Sequence, residues 1–554
     1  MIYSTPQGFR DILPDEALRR EVLVRRLQDL FAEAGYAPIE TPTLEVMAVA
    51  DAGGRMPASP FRLFDASGTL LAMRPDVTSQ IARVCATRLA AQDGPVRLRY
   101  TQRVFREAKN PFRADPREET QIGIECVGAG GAAVDAEVIG LAARALELCG
   151  VGEFTIAVAF VGVLRQLLEF CGAPEPWRRA VLEAYHASDL VEVDRLCSDA
   201  ACVAPVYGSA IASLARIRGG RGAVAEAEAL AGPLGCAGCL AELKSLVDEL
   251  DRRGLGERLL VDFSIMSSFD YYTGFVFEVF APARADALAR GGRYDNMLGS
   301  YGASRPAAGF ALGLEACMEA AEQQGAPTSG EARPLRVAVP KGSLNADAIA
   351  VLAGAGLDVS GLAHPGRSLI IRNPGVEYLI VRPSDAPALV ALGAADCGIC
   401  GLDSLLETDA SVVQLADLRF GACRFIVAEP AGTSDEVRER YERHGSVRVA
   451  TKYPRIAQRY YEGRCMKCDI VALHGNIELA PLTGLAEQIV DITATGATLR
   501  ENNLVIVDDV LSSTARFFAN GSALRTDERI GELAARLSDF AATQPFEPIA
   551  GSTN

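Results

Sequence analysis

From Leu335 onward, short apolar runs rich in β-branched residues recur between amphipathic helical stretches, and this rhythm restricts the C-terminal half to a layered α/β architecture. The runs fall at residues 335–339, 378–381, 397–400, 424–427, 447–450, 470–473 and 504–507, with helical patterns such as 455–461 between several of them. Parallel sheets with flanking helices are expected, and ligands in such folds sit at the carboxyl ends of strands.

One connection between such elements is rich in donors. The stretch Asp491-Ile492-Thr493-Ala494-Thr495-Gly496-Ala497-Thr498 follows the apolar run Gln488-Ile489-Val490, and 499–503 suits one or two helical turns. Helix-start amides carry partial positive charge and lack intrahelical partners, so an anion against 496–498 would satisfy them. Gly496 allows close backbone approach, and the threonine hydroxyls add uncrowded donors. The stretch reads as a phosphate cradle; an ordinary strand-to-helix connection is the alternative.

At 554 residues the chain exceeds one typical core, so several domains are expected. No apolar run is long enough to span a bilayer, and the first residues lack a basic flank followed by an apolar core, so no membrane association and a cytoplasmic location are expected. The net charge of −16 argues against general nucleic-acid binding, which needs excess Lys and Arg. Fourteen cysteines in such a chain suit reduced packing residues. Three Cys-x-x-Cys pairs, Cys236/Cys239, Cys397/Cys400 and Cys465/Cys468, leave a four-thiolate metal site as the other reading. Cys397 and Cys400 lie in a run that suits a buried strand.

Residues 323–334, rich in Gly, Pro and small polar types, form the best linker. Before it a long amphipathic helix over about 15–34 precedes a strand over about 96–104, and strands recur at 259–263, 275–280 and 309–314. This pattern suits an α+β body with an antiparallel sheet, carrying a helical insertion at 163–253.

The segment 335–544 resembles the short-form catalytic subunit of ATP phosphoribosyltransferase. The matching landmarks are Leu335-Arg336-Val337-Ala338-Val339-Pro340-Lys341-Gly342, Val381-Arg382-Pro383-Ser384-Asp385, Gly393-Ala394-Ala395-Asp396-Cys397-Gly398-Ile399, Ala450-Thr451-Lys452-Tyr453-Pro454 and Gly475-Asn476-Ile477-Glu478-Leu479-Ala480-Pro481-Leu482, then the cradle. The resemblance implies a two-lobed fold of the periplasmic-binding-protein type II class, with lobes at 335–430 plus 515–544 and at 431–514 and the active site between them. It implies that phosphoribosyl pyrophosphate settles on Asp491, Thr493, Ala494, Thr495, Gly496, Ala497 and Thr498, with Asp491 accepting from sugar hydroxyls. Arg367, Arg382, Lys341 and Lys452 would grip phosphates, the two arginines across a dimer interface, and Glu478 would orient the ribose or metal. Mg²⁺ would neutralise the pyrophosphate, no metal being assigned to protein ligands alone. Ser343 departs from the family, which often carries Arg after Lys-Gly.

Residues 1–322 resemble histidyl-tRNA synthetase, and more closely the regulatory subunit that short-form ATP phosphoribosyltransferases recruit. The motifs are Gly8-Phe9-Arg10-Asp11-Ile12-Leu13-Pro14, Arg74-Pro75-Asp76-Val77-Thr78, Arg103-Val104-Phe105-Arg106-Glu107, Gln121-Ile122-Gly123-Ile124-Glu125, Asp270-Tyr271-Tyr272-Thr273-Gly274 and Gly291-Gly292-Arg293-Tyr294-Asp295. The resemblance implies a class II aminoacyl-tRNA synthetase-like fold and a histidine pocket made by Asp76, Thr78, Gln121, Glu125, Tyr272 and Tyr294. Two arginines that serve adenylate chemistry in the synthetase align with Ser267 and with Ala316 in Glu315-Ala316. Their loss removes charge stabilisation worth orders of magnitude in rate, so a regulatory role is expected in place of aminoacylation.

Together the two resemblances imply a fused enzyme that joins ATP and phosphoribosyl pyrophosphate into phosphoribosyl-ATP, the first step of histidine biosynthesis, with histidine as inhibitor. A homo-oligomer, dimer or tetramer, is expected. The alternative is a histidine-binding regulatory protein whose transferase half is impaired.

Overall fold

Two units make up the computed structural model, in which residues 4–52, 60–107, 116–265, 272–282, 284–325, 333–493 and 497–544 are described. The first comprises residues 1–331 together with Gly521–Asp527; the second comprises 332–520 and 528–554.

The strands of the first unit are, in chain order, β1 (Ala37–Pro38), β2 (Leu44–Val46), β3 (Arg62–Phe64), β4 (Leu70–Met73), β5 (Val96–Phe105), β6 (Glu118–Val127), β7 (Thr155–Phe160), β8 (Arg218–Gly219), β9 (Leu259–Asp262), β10 (Phe275–Phe280), β11 (Ala289–Arg293) and β12 (Ala307–Gly313). Nine of them form one sheet in the order β1-β5-β6-β12-β11-β10-β7-β9-β8, and β2-β4-β3 form a small separate sheet. Pairing in the large sheet is antiparallel except for β1 with β5 and β7 with β9. Alternation explains its centre: on β5, Val96, Leu98, Tyr100 and Gln102 are buried while the residues between them are partly exposed. The expected long helix spans Pro14–Glu33 and buries Leu27, Leu30 and Phe31, with Phe31 edge-on to Phe310 of β12 at 5.8 Å.

Helices dominate from Val161 to Arg252, interrupted by the two-residue β8. The helix Leu314–Gly325 runs through the first three residues of the expected linker. Gln324 holds that end in place, its side-chain oxygen accepting from the amides of Gly152 and Glu153 at 2.8 and 3.0 Å. Residues 326–332 lie outside the described residues.

The second unit adds β13 (Leu335–Pro340), β14 (Ile370–Asn373), β15 (Val376–Val381), β16 (Cys397–Gly401), β17 (Val413–Asp417), β18 (Cys423–Pro430), β19 (Val447–Thr451), β20 (Cys468–Ala472), β21 (Gln488–Thr493), β22 (Leu504–Ser513) and β23 (Ala515–Ala519). They form a six-stranded sheet, β14-β15-β13-β16-β23-β17, and a five-stranded sheet, β20-β19-β21-β18-β22. Each is mixed, which corrects the expectation of parallel sheets: β13 runs parallel to β15 and β16, and β19 to β20 and β21, but β14, β18 and β23 pair antiparallel with their neighbours. Apolar runs report burial on both faces without reporting direction, so the parallel reading claimed more than they contain.

The strand that leads up to residue 430 belongs to the five-stranded sheet. β18 pairs with β21 and β22, so the five-stranded sheet already begins at Cys423. Its side chains serve two cores alternately, Ile426 and Ala428 one face and Phe425 and Val427 the other. β16 is buried throughout, in agreement with the packing reading of Cys397 and Cys400.

Candidate functional site

The pocket expected in the first unit is built from strand periodicity. On β6, Gln121, Gly123 and Glu125 are two residues apart and share a face. Across the sheet, Glu125 pairs in register with Leu98 of β5 and Gly309 of β12, and Gly123 pairs with Tyr100. A Cβ on Gly309 would lie 1.8 Å from Glu125 Oε2 and 2.4 Å from the Ile124 carbonyl, so only glycine leaves room for this carboxyl. Likewise a Cβ on Gly123 would lie 2.6 Å from the Tyr100 hydroxyl.

Glu125 is 1% exposed and is the hub of a buried polar cluster. Thr78 Oγ1 donates to its Oε1 at 2.8 Å, and the Tyr294 hydroxyl donates to Oε2. Gln121 Oε1 accepts from the Val77 amide at 3.2 Å, tying β6 to the start of the helix Thr78–Thr87. Burial raises the Glu125 carboxyl to about 8, with the nearby Asp76 carboxylate adding to the rise and the Tyr294, Thr78 and Tyr100 hydroxyls opposing it. Asp76 Oδ1 accepts from the amide and hydroxyl of Ser79 at 3.2 and 2.8 Å. Tyr272 is buried in the same core cluster as Tyr294 and Tyr100, packed where a Cβ on Gly292 would meet its ring at 2.7 Å.

The six expected residues therefore converge. Sequence reasoning missed Tyr100, whose buried hydroxyl lies beside Thr78 and Glu125 without a hydrogen bond of good geometry among the described residues. The signal was available in the alternation of β5, which places Tyr100 inward together with Leu98 and Gln102. Ser267 lies outside the described residues. Glu315, beside the missing arginine, is a structural tie: it pairs with Arg20 at 2.6 Å and accepts the Thr120 amide at 3.0 Å.

In the second unit the parallel strands β19, β20 and β21 end on one side, and the C-terminal half of β21 and the residues after β19 and β20 carry the candidate chemistry. Thr451 closes β19, fully buried, its hydroxyl accepting from the Tyr453 amide at 2.9 Å. That turn exposes Lys452, whose ammonium lies 5.8 Å from the centre of the Tyr453 ring, and Tyr453 packs edge-on to Phe425 at 4.9 Å. Asp491, half-buried on β21, accepts its neighbour's amide, from Ile492, at 2.8 Å. Its carboxyl is raised above the ordinary value by burial and by Glu478, while the Ile492 amide and Lys452 oppose the rise. Asp491, Glu478 and Lys452 thus share one electrostatic neighbourhood.

The helix after the cradle spans Ala497–Glu501, with Thr498 exposed; Ala494, Thr495 and Gly496 lie outside the described residues. Lys341 and Arg382 follow the adjacent strands β13 and β15, the Lys341 amide donating to the Val381 carbonyl at 2.8 Å, and both side chains are exposed. Arg367 is exposed in the turn before β14. None of these three shares a contact with the Asp491 group among the described interactions. Among the described residues no group of three or more His, Cys, Asp and Glu side chains could hold a metal ion, and all fourteen cysteines are free thiols.

Comparison with known proteins separates the same two parts. The histidyl-tRNA synthetase family model matches residues 8–317, and the ATP phosphoribosyltransferase family model matches residues 382–539. An ATP phosphoribosyltransferase of Rubrobacter xylanophilus is 48% identical over 193 residues, 35% of this chain and 89% of that protein. Two proteins of Moorella thermoacetica also match: an ATP phosphoribosyltransferase, 47% identical over 39% of this chain and 96% of its own length, and an ATP phosphoribosyltransferase regulatory subunit, 38% identical over 56% and 80%. Among solved structures, an ATP phosphoribosyltransferase regulatory subunit/histidyl-tRNA synthetase from Bacillus halodurans is similar with a TM-score of 0.54 and 27% identity, covering 69% of this chain and 99% of that one. The chain therefore belongs to the ATP phosphoribosyltransferase family and carries, in the same polypeptide, an N-terminal part of the histidyl-tRNA synthetase family that is like its regulatory subunit.

Proposed function

We propose that the chain transfers the phosphoribosyl group of phosphoribosyl pyrophosphate to N1 of ATP, releasing pyrophosphate, and that histidine bound in the N-terminal part inhibits this reaction. The observation that carries the transferase reading is the grouping of Asp491, on the C-terminal half of β21, with Lys452 and Glu478 from the connections that follow the parallel strands β19 and β20. In this reading the two sheets are lobes of a periplasmic-binding-protein type II-like fold, with the substrates between them.

Each residue then has a chemical task. Asp491 accepts hydrogen bonds from the ribose hydroxyls, and the cradle from Thr493 to Thr498 holds the 5′-phosphate on backbone amides and hydroxyls. Lys452 and Lys341 place ammonium charge against phosphate oxygens, while Arg367 and Arg382 offer forked guanidinium donors, acting between copies in a homodimer or tetramer. Asp491 and Glu478 fit a Mg²⁺ ion held mainly through substrate phosphates, because burial and the Glu478 carboxylate both raise the Asp491 carboxyl and a divalent cation would relieve that repulsion. When bound, Mg²⁺ supplies charge neutralisation of the departing pyrophosphate.

The regulatory reading rests on Glu125. A fully buried carboxyl ringed by the hydroxyls of Thr78 and Tyr294, with that of Tyr100 alongside, is suited to an imidazole N–H, and an analogue lacking that donor would leave buried groups unpaired. Asp76 adds negative charge for the ligand's amino group, with Gln121 and Tyr272 completing the wall. A cytoplasmic location suits these substrates; among the described residues no helix is long and apolar enough to cross a membrane.

The test is formation of phosphoribosyl-ATP by the purified full chain and by Asp491→Ala. Losing the acceptor lowers kcat/KM by roughly 10- to 100-fold, the worth of one charge-assisted hydrogen bond. Wild-type activity in that variant refutes the assignment.

A further inference from the structure

The segment Gly521–Asp527 lies within the stretch matched to the transferase family, yet it packs as part of the first unit. The chain belongs to the second unit up to Asn520, contributes the short helix Gly521–Thr526 to the first, and returns to the second at Glu528.

Within the first unit this helix is held by Arg525. Its Nε lies 3.0 Å from Asp262 Oδ2, its guanidinium carbon lies 5.2 Å from the centre of the Phe280 ring, and its Nη1 donates to the Gly521 carbonyl at 2.9 Å. Asp262 has no exposed surface. Arg218 approaches it at 3.1 Å, and the amide and hydroxyl of Ser264 donate to Oδ1 at 2.9 and 2.6 Å. Burial opposes the charge, but the two guanidiniums and Ser264 hold the carboxyl ionised, at about 2. A buried ion pair is usually no more stabilising than apolar packing of equal volume, so stability alone does not account for this one.

Position suggests what does. Asp262 ends β9 and Phe280 ends β10, the strands on either side of the segment that leads into Tyr272. Phe280 and Ile265 belong to one packed core cluster with Tyr272, Tyr294 and Tyr100 of the histidine pocket. At the other end of the segment, within the second unit, the Asn520 side chain donates to the carbonyls of Val390 and Ala391 at 3.2 and 3.3 Å, and its amide to Asp396 at 2.9 Å. Val390 and Ala391 close the helix Ala386–Ala391, whose first amide donates to the Arg382 carbonyl at 3.2 Å.

Resting on the regulatory reading above, we propose that the Arg525–Asp262 pair is the element that couples the histidine pocket to the transferase. Histidine shifts the packing around Tyr272, Phe280 and Asp262, Arg525 carries the shift into the segment 521–527, and Asn520 passes it along the covalent chain to the helix behind Arg382. Arg525 is a positioning residue and touches no substrate. A coupling element of this kind must bias two states, so its signature is a change in the effect of histidine without a change in its binding.

The experiment uses the full chain as wild type, Arg525→Met and Arg525→Lys. Histidine binding is measured by equilibrium dialysis, and phosphoribosyl-ATP formation is measured with and without saturating histidine. In Arg525→Met histidine binds within about threefold of wild type while the inhibition factor falls at least roughly fivefold, the lower end of typical coupling. Arg525→Lys, which keeps the charge without the fork, is intermediate. Wild-type inhibition in Arg525→Met overturns the proposal and leaves the regulatory reading intact, as does loss of histidine binding in both variants, which makes the pair a structural clamp. If Arg525→Met does not fold, wild-type inhibition in Arg525→Lys overturns it equally. A wild-type chain that binds no histidine overturns both.

Discussion

Replacing Glu125 with Gln separates the cost of burying a carboxylate from the value of its hydrogen bonds. A carboxyl whose folded value of about 8 exceeds its unfolded value binds its proton more tightly when folded. Its contribution to stability is therefore full below the unfolded value, roughly 4.3, and declines by about 1.4 kcal/mol per pH unit until the folded value is passed. Between pH 5.5 and 8 this amounts to a loss on the order of 3 kcal/mol in the wild type and none in Glu125→Gln. The amide matches the protonated carboxyl in this setting: its oxygen accepts from one of the Thr78 and Tyr294 hydroxyls and its N–H donates to the other, as the carboxyl O–H does. Wild type and variant are then of similar stability at pH 5.5, and by pH 8 Glu125→Gln is the more stable protein by an amount on the order of 3 kcal/mol. Urea unfolding without histidine measures this, followed by the fluorescence of Trp177, the one tryptophan of the chain, which is buried in the first unit. A stability difference that does not change between the two pH values would show that Glu125 titrates as an ordinary carboxyl, and the argument from burial would fail.

Gly309→Ala drives a methyl group into Glu125 Oε2 and the rigid Ile124 carbonyl, so the first unit loses about 1–3 kcal/mol and histidine binds roughly 10- to 100-fold more weakly by calorimetry, while transferase turnover without histidine is unchanged. In the second unit, the Glu407 carboxylate accepts from the amides of Arg455 and Ile456 at 3.1 and 3.2 Å and so caps the helix Pro454–Gly463 that follows Lys452. Glu407→Ala lowers the stability of that unit by about 0.5–2 kcal/mol in thermal unfolding, with histidine binding unaffected.

Much of this was legible in the residues, and the misses have physical causes. The pocket motifs converge because strand periodicity is local: Gln121 and Glu125 must share a face once the strand forms, and the glycines at 123 and 309 mark where neighbours crowd it. Strand positions in the second unit were legible for the same reason. Strand direction and sheet membership were not, because β18 is defined by pairing with β21 and β22, more than 50 residues away in sequence. Tyr100 reads as a core aromatic until its cross-strand partner is known to be Gly123. The segment Gly521–Asp527 gave no sign of its place in the first unit, since its role depends on Asp262, far away in the chain. Lys341, Arg367 and Arg382 are assigned by motif alone: they are exposed, and the proposed function makes substrates or a second copy their partners.

The most direct measurement of the central claim is phosphoribosyl-ATP formation by the full chain as histidine is titrated, for the wild type and Glu125→Gln side by side. The account predicts that both catalyse transfer from phosphoribosyl pyrophosphate to ATP, that histidine inhibits the wild type, and that Glu125→Gln resists it at least about tenfold. A wild type indifferent to histidine, or a Glu125→Gln variant inhibited at the wild-type concentration, would contradict it.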